Sequence, residues 1–274
     1  MIAELFRALC HLNPTLKKFL WKRWYEFQVD YYPKTDWSFM NYGYAPLDAN
    51  QAELPLLPED EPNRYSIQLY HYVATLLGMV PSLTGLQVLE VGSGRGGGCE
   101  YIKRNLNPHS IKGVDFSLRA VALCNLNFSS SGLIFIPGDA ESLPFVDNSF
   151  DVVINVESSH CYRSFEAFVE QVKRVLKKGG HFICADLRRA DELGILQDRM
   201  RHSGMHLITE VDITANVVKA LSLDHDRKLA HIRKSTPRLM ANPIKEYAGL
   251  KGSKIYNRLR TREIMYLCFM LEKN

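Results

Sequence analysis

The sequence predicts an α/β fold, in which a mostly parallel sheet carries helices on both faces. From residue 87 onward, short apolar runs of β type alternate with amphipathic helical segments. A glycine-rich turn follows the first of these runs and precedes a helix. The 274 residues are 46% hydrophobic, which provides enough apolar material for a core between layers. This composition excludes a largely disordered chain.

The first 84 residues are predicted to form a helical arm and cap. Residues 1–27 are assigned to a helix, because apolar residues from Leu16 to Phe27 repeat at helical spacing. Five prolines make residues 30–64 mostly loop. A further helix is predicted from Ser66 to Leu77.

The core is predicted to span residues 85–274. Its strands share short apolar runs and are expected at 87–91, 111–115, 133–136, 151–156, 180–186, 206–211 and 264–271. The intervening helices share an apolar face and are expected at 97–106, 117–127, 164–176 and 191–202. The segment 213–262 is mostly helical and separates the last two strands. Such an insertion commonly forms a lid or a substrate wall.

Charge and cysteine content narrow the class of protein. The chain has 34 basic and 30 acidic residues, a net charge of +4, which is too small for a dedicated nucleic-acid binder. Its six cysteines form no C-x-x-C pair, which indicates reduced thiols and no cysteine-bound metal. No apolar run approaches a membrane span, and the first residues do not resemble a signal peptide. We therefore expect a cytoplasmic protein.

The glycine-rich turn is the strongest local motif, with the sequence L-E-V-G-S-G-R-G-G-G at 89–98. Gly92, Gly94 and Gly97 fit the dinucleotide pattern G-x-G-x-x-G, which is a weak signal alone. Glu90 lies two residues before the first glycine. A carboxylate there would repel a pyrophosphate but suits the ammonium group of an amino acid.

Two further acids extend this reasoning to the rest of a cofactor. Asp115 ends the second strand, where a carboxylate commonly accepts both hydroxyls of a ribose. Asp139 follows the third strand, where an acid and a backbone N–H suit adenine. An amino acid, a ribose and an adenine without phosphate describe S-adenosylmethionine.

With these motifs, the sequence resembles the class I S-adenosylmethionine-dependent methyltransferases. The ordered motifs are E-V-G-S-G-R-G at 90–96, V-D at 114–115, G-D-A-E-S-L-P-F at 138–145, S-F-D-V-V at 149–153 and R-V-L-K-K-G-G at 174–180. The resemblance implies a Rossmann-like sheet whose last strand is antiparallel. It also implies cofactor contacts from Glu90, Gly92, Ser93, Gly94, Asp115, Phe116, Asp139, Ala140 and Asn155. Phe116 either stacks on the cofactor or packs into the core.

A narrower resemblance covers most of the chain. The motifs M-N-Y-G-Y at 40–44, D-E-P-N-R at 60–64, N-V-E-S-S-H-C-Y at 155–162 and A-D-L-R at 185–188 are similar to phthiotriol/phenolphthiocerol dimycocerosate methyltransferases. Those enzymes methylate a hydroxyl of a large lipid. The pattern N-V-E-S-S-H…A-D is also similar to natural-product sugar O-methyltransferases. Because the similarity is weakest in 213–262, the acceptor does not carry over.

His160 and Asp186 are the candidate catalytic pair. His160 follows the strand 151–156 and Asp186 ends the neighbouring strand, at the sheet edge where ligands bind. In the resembling sugar O-methyltransferases, a histidine and an aspartate at these motif positions act as base and partner. The alternative is a polar loop residue and a helix N-cap. Glu157 is a rival acid, which either acts in catalysis or contacts the cofactor.

The predicted function is methyl transfer to a hydroxyl of a bulky apolar lipid or secondary metabolite. A C- or N-methyltransferase of an indole or terpenoid is the alternative, and no acidic cluster specifies a metal. Trp37, Tyr42, Tyr44 and Arg64 are predicted to contact the acceptor; otherwise the aromatic residues pin the arm to the core. A regulatory cofactor-binding module and a protein or RNA methyltransferase are the rival classes.

The N-terminal arm suggests a further contact. Trp21 and Trp24 lie beside Lys17 and Lys18, a combination that suits an anionic membrane surface. Alternatively, the apolar stripe covers the active site or a neighbouring subunit of a homo-oligomer.

Overall fold

The computed structural model describes residues 37–48 and 54–274. The predicted helix at 1–27 lies outside these residues, so the arm's membrane and subunit contacts stay predictions. The seven strands are β1 Gln87–Val91, β2 Ser110–Asp115, β3 Leu133–Pro137, β4 Phe150–Val156, β5 Leu176–Arg189, β6 His206–Asp212 and β7 Ile264–Glu272. They form one sheet in the order β3-β2-β1-β4-β5-β7-β6.

The strand directions confirm the predicted sheet. β1 pairs in parallel with β2 and β4, β2 with β3, and β4 with β5. β7 runs antiparallel to both β5 and β6. β5 is longer than the predicted 180–186, because β7 pairs with it from His181 through Arg189 and Leu176 pairs with Phe150.

Helices cover both faces of this sheet. They are α1 Arg64–Ala74, α2 Gly97–Leu106, α3 Leu118–Asn127, α4 Phe165–Val175, α5 Leu193–Arg201, α6 Thr214–Leu223, α7 His225–Ser235, α8 Arg238–Tyr247 and α9 Lys254–Arg260. Successive side chains of a strand point to opposite faces. Val88 therefore joins the core layer that contains Ile67 of α1, whereas Leu89 joins the layer that contains Phe168 of α4.

The segment 213–262 contains four helices, α6 to α9. Val217 of α6 and Leu259 of α9 belong to the main core layer beside the sheet. Ile232 of α7 and Ile244 of α8 form a separate small cluster with Trp37. The first and last helices are thus anchored on the sheet, while α7 and α8 form an outer layer.

The segment 37–48 crosses the carboxyl end of the sheet. The carbonyl of Ser38 accepts from N of Gly97 at 3.2 Å, and N of Tyr44 donates to O of Tyr65 at 2.9 Å. This segment therefore joins the glycine turn to α1. Within the described ranges, no helix is long and apolar enough to cross a bilayer.

Candidate active site

A glycine turn that joins β1 to α2 forms the floor of the site. Gly92, Gly94 and Gly96 have positive φ angles of 80°, 53° and 82°, which residues with a Cβ rarely adopt. A Cβ at Gly92 would lie 2.2 Å from Oγ of Ser158. At Gly94 it would meet only Sδ of Met40, 3.8 Å away. The turn is therefore packed at Gly92 and open at Gly94.

Asp115 lies beside this turn at the end of β2. Its Oδ2 accepts from N of Gly94 at 2.9 Å, and its Oδ1 accepts from N of Ser117 at 2.8 Å. Each carboxylate oxygen has a second lone pair that can accept from a ribose hydroxyl. The adjacent Phe116 is 41% exposed, although phenylalanine is usually buried. Its ring therefore presents an apolar surface beside the carboxylate.

Asp139 and Ala140 occupy the turn after β3. Asp115 pairs with Pro137 across the parallel strands, so Asp139 lies at the same sheet edge, two residues farther along. Its Oδ1 accepts from N of Glu141 at 3.0 Å. The structure thus brings the two predicted ribose and adenine acids to neighbouring strand ends.

Glu90 and Asn155 are fully buried beneath the glycine turn. Glu90 accepts from the hydroxyl of Tyr70 at 2.6 Å and from Sγ of Cys99 at 2.8 Å. Burial raises the pKa of Glu90 to about 7. Nδ2 of Asn155 donates to the carbonyl of Val91 at 2.8 Å. Both side chains support the strand ends from within, and their predicted contact with a cofactor stays a prediction.

Ser93 carries a buried hydroxyl group that is consistent with a bound ligand. Its Oγ is buried, at 4% exposure for the residue, and has no hydrogen-bond partner among the described residues. Together with the open turn at Gly94, the carboxylate of Asp115 and the exposed ring of Phe116, it fits an adenosine that carries an amino-acid tail. When bound, S-adenosylmethionine supplies an electrophilic methyl group.

His160 and Asp186 meet at the carboxyl ends of β4 and β5. Nδ1 of His160 lies 2.8 Å from Oδ1 of Asp186. Oδ2 of Asp186 accepts from Oγ of Ser159 at 2.5 Å and from N of His160 at 2.9 Å, and it lies 3.0 Å from Nη1 of Arg188. Asp186 is 3% exposed, whereas the His160 side chain is 26% exposed. A fixed buried carboxylate therefore orients a partly exposed imidazole at this sheet edge.

The charges of this pair depend on each other. Burial disfavours the imidazolium, but the neighbouring Cys161 and the Asp186 carboxylate outweigh it and raise the pKa of His160 to about 10. Burial would also raise the pKa of Asp186, yet His160 and Arg188 hold it well below its usual range. Each group of the pair thus favours the charged form of the other.

Glu157 connects the strand end to the crossing segment. Its Oε1 accepts from N of Tyr42 at 2.7 Å and from the hydroxyl of Tyr266 at 3.0 Å. Burial raises its pKa to about 7. Glu157 has a φ of 48°, a left-handed conformation that is uncommon outside glycine. The described contacts of this carboxylate hold residue 42 in place over the sheet edge.

A cavity lies between the crossing segment and the outer helices α7 and α8. Trp37 is held at its carbonyl by Nε of Arg95 from the glycine turn, and its ring contacts that of His231 at a centroid distance of 6.4 Å. Much of the lining is apolar and comes from Trp37, Phe39, Met40, Ile232, Ile244 and Ala248. Arg227, Lys228 and His231 of α7 add charged and polar groups. This largely apolar lining suits part of a bulky acceptor.

The structure separates the four predicted acceptor residues. Trp37 and Tyr42 line the cavity. Tyr44 instead stacks on Tyr72, with ring centroids 4.7 Å apart. Arg64 pairs with Glu61 and donates to the carbonyl of Leu54 at 2.9 Å. The acceptor role of all four stays a prediction.

Several site residues were missed from the sequence. Asn41 is 7% exposed and lines the cavity, and its Oδ1 has no partner among the described residues. Arg188 holds Asp186, and Tyr266 holds Glu157. Asn41 and Arg188 belong to the motifs at 40–44 and 185–188, so the motifs contained the signal. Tyr266 carried none, because it lies in an apolar strand.

In residues 37–48 and 54–274, no group of three His, Cys, Asp or Glu side chains is placed to hold a metal ion.

Comparisons with known proteins agree with this geometry. A family model described as a methyltransferase domain matches residues 89–184. A phthiotriol/phenolphthiotriol dimycocerosates methyltransferase from Mycobacterium leprae is 34% identical over 262 residues, which cover 96% of this chain and 95% of that protein. A fatty-acid O-methyltransferase from Mycolicibacterium smegmatis is 34% identical over 232 residues, which cover 85% and 82%.

Solved structures show the same fold at lower sequence identity. A putative sarcosine dimethylglycine methyltransferase from Galdieria sulphuraria matches with a TM-score of 0.68 and 15% identity, over 91% of this chain and 98% of that one. The sequence identity of 34% over 96% of the chain shows the family as well as the fold. The chain belongs to the family of the phthiotriol/phenolphthiotriol dimycocerosates methyltransferases and is an S-adenosylmethionine-dependent methyltransferase.

Proposed function

We propose that this enzyme methylates a hydroxyl of a bulky, mostly apolar lipid or natural product, with His160 as general base. The observation that carries the proposal is the 2.8 Å contact between Nδ1 of His160 and Oδ1 of Asp186. Paired in this way, the imidazole turns Nε2 away from the carboxylate. In the neutral form of the ring, that nitrogen would take the hydroxyl proton as the acceptor oxygen is methylated.

The surroundings of Asp186 support this division of roles. Its carboxylate accepts from Ser159, from the backbone of His160 and from N of Leu187 at 2.8 Å, and it pairs with Arg188. Held by so many donors, the carboxylate keeps its charge and fixes the orientation of the ring. It would stabilise the imidazolium that forms during turnover.

The cavity supports a bulky acceptor with at least one polar group. Its apolar lining favours a hydrocarbon portion. Asn41 presents a buried oxygen without a partner among the described residues, which would accept from a second hydroxyl of the acceptor. Relatives named for dimycocerosates and for a fatty acid are consistent with an acceptor of this kind.

The base is tested by His160→Ala, with His206→Ala as the matched control, because His206 is an exposed residue of β6. Transfer of a tritiated methyl group to lipid extracts would be measured beside cofactor affinity. We expect unchanged affinity and a turnover lower by about 10²–10⁴ in the first variant only. Full activity would refute the base and favour a carbon or nitrogen acceptor, which needs less help in losing a proton.

A carboxylate acceptor is the second candidate. Arg227, Lys228 and His231 line the cavity, and the raised pKa of His160 favours an imidazolium at the sheet edge. A carboxylate is already deprotonated, so its methylation needs cations to position it rather than a base. The fatty-acid O-methyltransferase relative is consistent with this candidate.

A further inference from the structure

The basic charge of the chain is concentrated in the segment 213–262. This segment contains twelve arginine and lysine residues against three acidic ones, whereas the whole chain has a net charge of only +4. The remainder of the chain is therefore slightly acidic. A field of one sign on one part of the surface favours an oppositely charged partner.

Part of this charge is neutralised within the structure. Asp224 pairs with both Arg227 and Lys228. Asp212 pairs with Arg262, at the end of the segment. One carboxylate thus offsets part of the charge of Arg227 and Lys228, and another offsets the charge of Arg262.

Three other cations converge without such partners. Arg233 of α7, Lys245 of α8 and Lys251 of the following turn line one cleft on the outer side of the segment, and none of them has an ion pair within the described ranges. His225 lies in the same cleft, and its Nδ1 accepts from N of Lys251 at 3.1 Å. Glu246 is the acid of the cleft; its Oε2 accepts from N of Lys254 at 2.9 Å.

We propose that this outer cleft, defined by Arg233, Lys245 and Lys251, docks the enzyme on an anionic phospholipid surface. Charge complementarity selects the partner, because three cations against the single carboxylate of Glu246 suit the phosphates of lipid headgroups. Leu229, which lines the same cleft, adds an apolar side chain beside these cations.

The position of the cleft gives docking a consequence. α7 lines the cleft with His225, Leu229 and Arg233, and it lines the acceptor cavity with Lys228 and Ile232. The two sites lie on adjoining faces of one helix. Docking through the first places the second beside the bilayer, where an apolar molecule concentrates.

The test is cosedimentation of the full chain with vesicles of phosphatidylcholine alone or with 30% phosphatidylglycerol. It needs no acceptor and no turnover, so its outcome is independent of the proposed function. The variant is Arg233→Gln/Lys245→Gln/Lys251→Gln. The control removes three exposed cations elsewhere, Arg119→Gln/Lys178→Gln/Arg201→Gln. Cofactor affinity verifies that both variants are folded.

We expect binding to the anionic vesicles only, and its loss at high salt. Each cation near such a surface contributes about 1 kcal/mol, so the cleft variant should partition about 100-fold less and the control variant should lose far less. Equal binding to both vesicles, or equal losses in the two variants, would overturn the proposal. Displacement of the enzyme from the vesicles by millimolar inorganic phosphate, or by RNA at a lower concentration than vesicles, would also overturn the proposal.

Discussion

Replacement of Asp186 by asparagine tests the catalytic pair most directly, because it removes a charge and keeps the shape. The buried carboxylate lies 2.8 Å from Nδ1 of His160 and is one of the groups that raise the pKa of this imidazole. An opposite charge at this range commonly shifts a pKa by about 1–3. We therefore expect Asp186→Asn to lower the pKa of His160 by that amount.

The sign of the pH dependence follows from the role of the imidazole. A general base must be neutral, and the raised pKa of His160, about 10, favours the protonated ring at pH 7. For a hydroxyl acceptor, kcat/KM should rise with pH up to that pKa. In Asp186→Asn the rise should occur at lower pH, while the plateau falls because the ring loses its orientation.

The assay is kcat/KM for methyl transfer between pH 6 and 10.5, with Asp198→Asn as control. Asp198 is an exposed residue of α5. Its contact with Nδ1 of His202 is made by the backbone carbonyl, so the substitution leaves that contact in place. The pH profile of Asp198→Asn should therefore match that of the parent enzyme. A rise at unchanged pH in Asp186→Asn would refute the proposed coupling. A rate that falls as pH increases would refute the base itself and support a carboxylate acceptor held by the imidazolium.

Three further results are expected. Gly92→Ala should unfold at lower temperature and lose cofactor affinity, because its Cβ would lie 2.2 Å from Oγ of Ser158; calorimetry and titration with the demethylated cofactor measure both. Phe116→Ala should weaken cofactor binding about 2–12-fold with little change in melting temperature, because the ring is 41% exposed; unchanged affinity would remove it from the cofactor site. Glu157→Gln should raise the free energy of unfolding by about 1 kcal/mol above pH 7. At that pH the parent protein must ionise Glu157 although burial disfavours the charged form, and glutamine removes this cost. This gain should vanish below pH 4.5, and a gain confined to acidic pH would contradict it.

The sheet and the contact between His160 and Asp186 were predictable for the same reason. Apolar runs identify the strands that are buried on both faces, and neighbouring parallel strands bring their carboxyl ends together. Once β4 and β5 were placed, His160 and Asp186 had to be close. The observed register confirms this adjacency, since Val156 pairs with Ala185.

The walls of the site were not predictable, because they depend on contacts between distant segments. The backbone N of Tyr42 donates to the carboxylate of Glu157, which is 115 residues away. Because the backbone makes this contact, no pattern of side chains in the sequence predicts it. Tyr44 shares a motif with Tyr42 but stacks on Tyr72. The motif therefore identified the segment that reaches the site. It did not show which of its residues face the cavity and which pack on α1.

The environments of Glu157 and Asp186 argue for different roles for these two acids. Burial leaves Glu157 with a pKa of about 7, and its oxygen accepts from the backbone of Tyr42 and from Tyr266. Asp186 is more deeply buried, but the cations of His160 and Arg188 keep it ionised. An acid that must stabilise an imidazolium through turnover needs a permanent charge, which only Asp186 has. In both contacts Glu157 accepts a hydrogen bond through Oε1. An oxygen can accept these bonds whether the carboxyl group is ionised or protonated. The geometry therefore favours Asp186 as the partner of the base and Glu157 as the anchor of the crossing segment.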